Sequence, residues 1–233
     1  MEHIIIGAVR RVPTLPEYVF NNLMNKIEET KQKKICAYRQ QADKERSILG
    51  DILIRIMLFN HFGWVDTGQP FAINQYGKPS LIGRTEMQFN LSHSGDWIVC
   101  AVSSNPIGID VEKINVVDLS IANRFFSKEE QTALFSRSEE EKLPYFYELW
   151  TLKESYIKAI GKGLSEPLNQ FTIHTDSNGI KLVTDRSNTN WQFRQYNLDP
   201  EYKLSVCTVK NSFPDYIREF HWTELYDFLT MYH

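Results

Sequence analysis

Sulfur is scarce in this chain. Its 233 residues include three cysteines, Cys36, Cys100 and Cys207, an odd number with no Cys-x-x-Cys pair. That excludes a disulfide framework and makes the reducing cytoplasm the default compartment. Cys100 and Cys207 follow apolar residues and read as buried thiols. Excess basic charge is also missing. Lys and Arg total 26 against 29 Asp and Glu, a formal net charge of -3, which leaves no footprint for nucleic acid. No apolar run is long enough to span a membrane. The opening MEHIIIGAVRRVPTL has an acid before its short apolar run and arginines after it. This is not a signal-peptide layout, and Ile4 to Val9 predict a strand. Gly161-Lys162-Gly163 lacks the upstream glycine of a phosphate-binding loop, and Ser92-His93 lacks the Gly-x-Ser-x-Gly elbow of a serine hydrolase. His3, His61, His174, His221 and His233 have no metal-ligand spacing and are left structural.

What remains is an ordinary globular composition, 42% hydrophobic and 24% charged, with length for one large domain or two modest ones. Residues 16–40 predict a helix with Lys31, Lys33 and Lys34 near its end. Residues 43–62 predict a stronger one, with Gly63 as its stop. Residues 75–81 predict a turn carrying Lys78, and 87–103 two strands around Ser94-Gly95. FNLSHSGDWIVCAVS (89–103) lies over YNLDPEYKLSVCTVK (196–210) without a gap. Composition alone can give such a match between strand–turn–strand segments. The other explanation is a duplicated α+β unit, with a boundary at Asn105-Pro106.

The most informative segment is Ile107-Gly-Ile-Asp-Val-Glu-Lys113. As a strand it puts Ile107, Ile109 and Val111 on one face and Asp110 and Glu112 on the other. The carboxylates are then roughly 7 Å apart and can reach one hard cation. A half-exposed strand with a solvated acidic face has the same pattern. Residues 149–160 predict a helix ending at Gly161, with Glu154 and Lys158 on one face as i and i+4. Alone they are a surface pair worth about 0.3–0.5 kcal/mol. Beside the acidic strand they add a third oxygen ligand and a cation, the equipment of metal-assisted phosphoryl transfer.

The strings NLSHSGDWIVCAVS, GIDVEKI, RFFSKEE and LWTLKESYIKAIGKGL occur here in that order. Together they resemble the 4'-phosphopantetheinyl transferases of the surfactin-synthetase-activating type, from about Lys31 to Phe171, and the C-terminal part fits in pattern. The resemblance implies an α+β fold of two similar subdomains, 1–106 (mostly coenzyme A-binding) and 107–233 (metal ligands and catalytic helix). They are related by pseudo-twofold symmetry, with the active site between them. It implies Asp110, Glu112 and Glu154 as Mg²⁺ ligands and Lys158 beside the pyrophosphate. Coenzyme A falls to Lys31, Lys34, Ser47, Lys78, Ser92 and His93, with Arg46 as a further nucleotide contact. Glu130 falls near carrier contacts and a possible metal-site helper.

The implied reaction moves phosphopantetheine from coenzyme A to a serine of an apo carrier protein of peptide, polyketide or fatty-acid synthesis. Glu154, or a water on the metal, takes the hydroxyl proton, and Lys158 stabilises the departing adenosine 3',5'-bisphosphate. Both sides of the site lie in one chain, so a monomer is expected. The rival functions are a Mg²⁺-dependent coenzyme A pyrophosphate hydrolase and a non-catalytic coenzyme A or carrier-binding module.

Overall fold

The computed structural model describes residues 4–65, 71–177, 179–185, 189–210 and 212–232. His3 and His233 lie outside them. The chain runs β1 (Ile5–Arg10), α1 (Glu17–Asn25), α2 (Glu29–Cys36), α3 (Gln41–Phe62), β2 (Ala72–Ile73), β3 (Pro79–Ser80), β4 (Gln88–Ser94), β5 (Trp97–Ser103) and β6 (Ile107–Lys113). It continues through α4 (Ala122–Phe125), α5 (Lys128–Phe135), α6 (Glu139–Ile160), β7 (Thr172–Asp176), β8 (Gly179–Val183), β9 (Gln192–Tyr196), β10 (Tyr202–Thr208), β11 (Arg218–Phe220) and α7 (Trp222–Tyr232).

Two departures from expectation have local causes. The helix expected over 16–40 is two helices. Glu28 adopts an extended backbone and its carboxylate accepts from Thr30 N, which starts α2 afresh. Between buried Ile27 and Ile35 the sequence Glu-Glu-Thr-Lys-Gln-Lys-Lys offers no apolar residue to hold a continuing helix against the core. Helix α6 begins well before residue 149, at a Ser138–Glu141 capping box with Pro144 inside the helix.

The two halves repeat one plan of strand, 22-residue helix and hairpin, β1–α3–β4–β5 and β6–α6–β9–β10. The sheets run β11-β1-β5-β4 and β6-β10-β9, so the last strand of each hairpin is inserted antiparallel beside the first strand. The match between 89–103 and 196–210 holds over the middle strands: Val99, Cys100 and Val206, Cys207 are buried equivalents. It fails over the outer strands, because the β4–β5 turn is residues 95–96 while the β9–β10 turn is 197–201.

The core is layered. Helices α1, α3 and α7 cover the first sheet and α6 covers the second. Between the sheets Ile6, Ala8, Val99 and Ala101 meet Ile107, Ile109, Val111, Leu204 and Val206. Each valine, leucine or isoleucine of this layer contributes about 1.5–3 kcal/mol by leaving water. The chain end returns to the first half: β11 pairs parallel with β1, and α7 joins the core under α3.

A glycine marks the same place in both halves. Gly7 pairs with Cys100 and Gly108 with Cys207, and each faces its long helix at the same position along it, Met57 or Ser155. A Cβ at Gly7 would meet the flexible end of Met57, with Sδ at 2.6 Å. At Gly108 it would meet helix backbone, Ser155 O at 2.0 Å and Ala159 N at 2.4 Å. Helix α6 therefore lies directly on β6. Gly108→Ala cannot be relieved by a rotamer change and is expected to lose about 3 kcal/mol or more, with Gly7→Ala losing less. Urea midpoints of the two variants check this, and the opposite order would sink the account.

Candidate active site

Among the described residues, strand β6 has a backbone strand partner, β10, on one side only. Its other edge faces β4, which belongs to the other sheet. No backbone ladder forms there. Instead the polar side chains of alternate β4 residues accept the N–H groups of alternate β6 residues. Asn90 Oδ1 accepts from Ile109 N at 2.8 Å, Ser92 Oγ from Val111 N at 3.4 Å, and Ser94 Oγ from Lys113 N at 3.1 Å.

The two serines then donate to the acids. Ser92 Oγ donates to Asp110 Oδ1 at 2.9 Å and Ser94 Oγ to Glu112 Oε2 at 2.7 Å. From α6, Lys158 Nζ reaches Asp110 Oδ1 at 2.6 Å and Ser92 Oγ at 2.9 Å. Glu154 stands one turn earlier on α6. Asp110 is buried, and its Oδ2 has no hydrogen-bond partner among the described residues.

The electrostatics show that the acids share one environment. Burial lifts the Glu154 carboxyl to about 7, with Asp110 and Glu112 pushing it up and Lys158 pulling it down. Burial and then Asp110 raise Glu112. Asp110 is raised by burial, against the pull of Lys158 and Ser92. Three acids face one ammonium, and a further positive charge would relieve all three. Among the described residues no three His, Cys, Asp or Glu side chains are already gathered into a metal-binding cluster.

The basic residues are spread more widely. Lys31, on α2, is half-buried. Its pKa is lowered by burial and by Lys34 and Arg55, while Asp51 opposes the shift. Lys34 is exposed and Ser47 half-buried. Arg46 donates to Gly95 O at 2.8 Å and to Asp43 at 2.5 Å. His93 keeps an exposed edge, and its imidazole is lowered by partial desolvation and by the cations Arg46 and Lys158. Lys78 turns to the end of α6. Its ammonium donates to Lys158 O at 2.7 Å, Ile107 O at 3.1 Å and Ala159 O at 3.2 Å, and desolvation lowers it to about 8. The structure thus joins Ser92, Asp110, Glu112, Glu154 and Lys158, with His93 within reach of the same charges. Lys31 and Lys34 sit apart on α2.

One expectation is corrected. Glu130 is buried, with Lys153 Nζ at 2.6 and 2.7 Å from its two oxygens and Ile173 N at 2.7 Å. It ties α5 to α6 and β7, and has no face for a carrier and no place at the acidic site. Three site-building residues escaped the sequence reading: Asn90, Ser94 and Gly108. The period-two polar set Asn90, Ser92, Ser94, alternating with Phe89 and Leu91, was the signal for the first two.

Fold and site define a two-lobed α+β enzyme with an acidic site on the joint between its lobes. Family models match both lobes: residues 13–105 match "4'-phosphopantetheinyl transferase, N-terminal" and residues 106–207 match the 4'-phosphopantetheinyl transferase superfamily. The chain is 37% identical to 4'-phosphopantetheinyl transferase Sfp of Bacillus subtilis (strain 168), over 87% of this chain and 91% of that protein. It is 39% identical to 4'-phosphopantetheinyl transferase gsp of Aneurinibacillus migulanus, over 87% and 85%. A crystal structure of a holo-(acyl-carrier-protein) synthase from Bacillus anthracis in complex with CoA aligns over 44% of this chain and 93% of that one, at 17% identity and a TM-score of 0.40. This chain belongs to the 4'-phosphopantetheinyl transferase superfamily.

The raised acids have a consequence for stability. Glu154 binds its proton more tightly folded than unfolded, so its contribution is full below about pH 4.3 and is lost as pH rises through about 7. Glu154→Gln mimics the protonated form at every pH. In EDTA, E154Q is expected to match wild type near pH 4 and to exceed it at pH 8 by about 2 kcal/mol after allowance for solvent screening. Urea melts across that range test it, and a constant difference would mean that folding does not raise the Glu154 carboxyl.

Proposed function

We propose that the chain transfers the 4'-phosphopantetheine group of coenzyme A to a serine hydroxyl of an apo carrier protein. The observation that carries this is the cluster of Asp110, Glu112, Glu154 and Lys158 on the joint between the halves, in a chain of this superfamily. The donor set is all oxygen, Asp110 Oδ2 has no partner among the described residues, and each acid is raised by burial and, for both glutamates, by its neighbours. Such a set suits a hard divalent cation, and Asp110, Glu112 and Glu154 would hold Mg²⁺. When bound, Mg²⁺ offsets the charge of the coenzyme A pyrophosphate. Lys158 places an ammonium where the leaving phosphate gains charge. Glu154 accepts the serine proton as the new phosphorus–oxygen bond forms and the pyrophosphate bond breaks, and adenosine 3',5'-bisphosphate leaves.

Lys31, Lys34, Ser47 and His93, with Arg46, would hold the nucleotide. Lys78 and Ser92 complete the coenzyme A set implied by the resemblance. Their ammonium and hydroxyl are already engaged, so contact with coenzyme A exchanges existing bonds for new ones. We place the division at 1–106 and 107–233, the second subdomain lending β11 and α7 to the first. Both sides of the site come from one chain, which supports a monomer. The carriers would be those of peptide synthesis first, then polyketide and fatty-acid synthesis. Three free cysteines support a cytoplasmic protein, and no helix among the described residues is long and apolar enough to cross a membrane.

Incubation with coenzyme A, Mg²⁺ and an apo carrier should add one phosphopantetheine mass to the carrier. Release of phosphopantetheine with the carrier unchanged would mean hydrolysis instead. Asp110→Ala should lower transfer by several orders of magnitude while its circular dichroism stays native, and near-normal activity would remove Asp110 from the site.

The nucleotide set has its own test. A charge-assisted bond to the 3'-phosphate is worth about 1.5–3 kcal/mol. Of alanine variants at Lys31, Lys34 and His93, the one that removes the phosphate contact should therefore weaken coenzyme A much more than dephospho-coenzyme A, which lacks that phosphate. Equal losses for both ligands in all three variants would assign these residues another role.

A further inference from the structure

We propose that Ser94 is a positioning residue that aims the Glu112 carboxylate and thereby sets the affinity of the site for Mg²⁺. This rests on the metal set proposed above. Ser94 is the last residue of β4, in the half of the chain that carries none of the three acids. Its oxygen accepts from Lys113 N at 3.1 Å while its hydrogen goes to Glu112 Oε2 at 2.7 Å. A hydroxyl has one proton. With the acceptor side held by β6 backbone, that proton is directed at the carboxylate. Glu112 Oε1 carries no hydrogen bond among the described residues, so the contact with Ser94 is what orients the group.

Ser94 is itself held from both halves. The carbonyl of the next residue, Gly95, accepts from Arg46 Nη1 at 2.8 Å. Tyr202, on β10, accepts from Asp96 N at 3.0 Å through its hydroxyl, which stands only 2.3 Å from where a Cβ on Gly95 would be. Only glycine fits there, and the turn is pinned by Arg46 and Arg11 of the first half, Arg11 N–H donating to Asp96 O at 2.7 Å, and by Tyr202 of the second. Asn90 provides the contrast: it accepts from β6 in the same way, at Ile109 N, yet touches no acid.

The test is Mn²⁺ binding, with Mn²⁺ standing in for Mg²⁺. It is followed by loss of the free-ion paramagnetic signal with coenzyme A present and no carrier. Ser94→Ala should weaken binding by about tenfold or more, the size of effect typical of residues that orient metal ligands. The Mg²⁺ concentration for half-maximal transfer should rise in parallel, with kcat at saturating Mg²⁺ close to wild type. Ser94→Thr keeps the hydroxyl and should restore affinity. Asn90→Ser should lower Tm without moving it. Wild-type affinity in Ser94→Ala beside a large loss in Glu112→Gln would overturn the role of Ser94 and leave the metal set standing. Wild-type affinity in Glu112→Gln as well would overturn both. Equal losses in Asn90→Ser and Ser94→Ala would show a general effect of the joint, not positioning.

Discussion

Among the described residues, strand β6 has a backbone strand partner on one side only, and the rest of the site depends on how its other edge is satisfied. A buried N–H without an acceptor costs about 1–3 kcal/mol. A ladder with β4 would meet that need, but it would fuse the two sheets into one and leave no side-chain groups at the edge. Asn90, Ser92 and Ser94 meet it with side chains. Their oxygens take the place of carbonyls, and two of them have a proton left to give to Asp110 and Glu112. Both edge strands are thereby closed to other chains, a common hazard of exposed sheet edges.

The halves are alike in plan and unlike where it matters. Gly7 and Gly108 sit at equivalent places, each opposite a buried cysteine and beneath a long helix. Over Gly7 the helix presents a methionine side chain. Over Gly108 it presents its own backbone, which brings α6 onto the face of β6 that carries Asp110 and Glu112. Glu154 and Lys158 arrive with it. Lys78, reaching in from the other half, binds the carbonyls at the C-terminal end of the same helix, where a cation also offsets the helix dipole. The acidic site therefore forms in one half only, while the other half supplies its supports.

Much of this was legible in the sequence because it follows from short-range periodicity. The alternation in 107–113 put acids on one face and apolar residues on the other, and the structure keeps that division. The i, i+4 spacing put Glu154 and Lys158 together. The break at 26–28 was missed because the basic run after it looks helical when its burial is unknown. The start of α6 and the place of Glu130 were written in the capping boxes Ser138–Glu141 and Ser127–Glu130. The partner that buries Glu130, Lys153, is distant in sequence and gave no such sign. The register of the internal match was misleading for a similar reason. A turn of different length shifts the outer strands but leaves the buried middle strands aligned.

The site is bought at the expense of local stability, and the surrounding layers explain why it persists. Asp110, Glu112 and Glu154 are all harder to ionise than free carboxyls, so near neutral pH they oppose folding. One ammonium, Lys158, offsets part of this. The remainder is carried by the apolar layer directly beneath, where Ile107, Ile109 and Val111 leave water on the opposite face of the same strand. The alternation that exposes the acids to the site also anchors them. A slip of one residue would exchange the two faces, placing the acids in the layer between the sheets and the isoleucines against α6. It would also put Ile109 where Gly108 must be, against the backbone of α6. Register, glycine and acids thus constrain one another, and only one alignment of this strand satisfies all three.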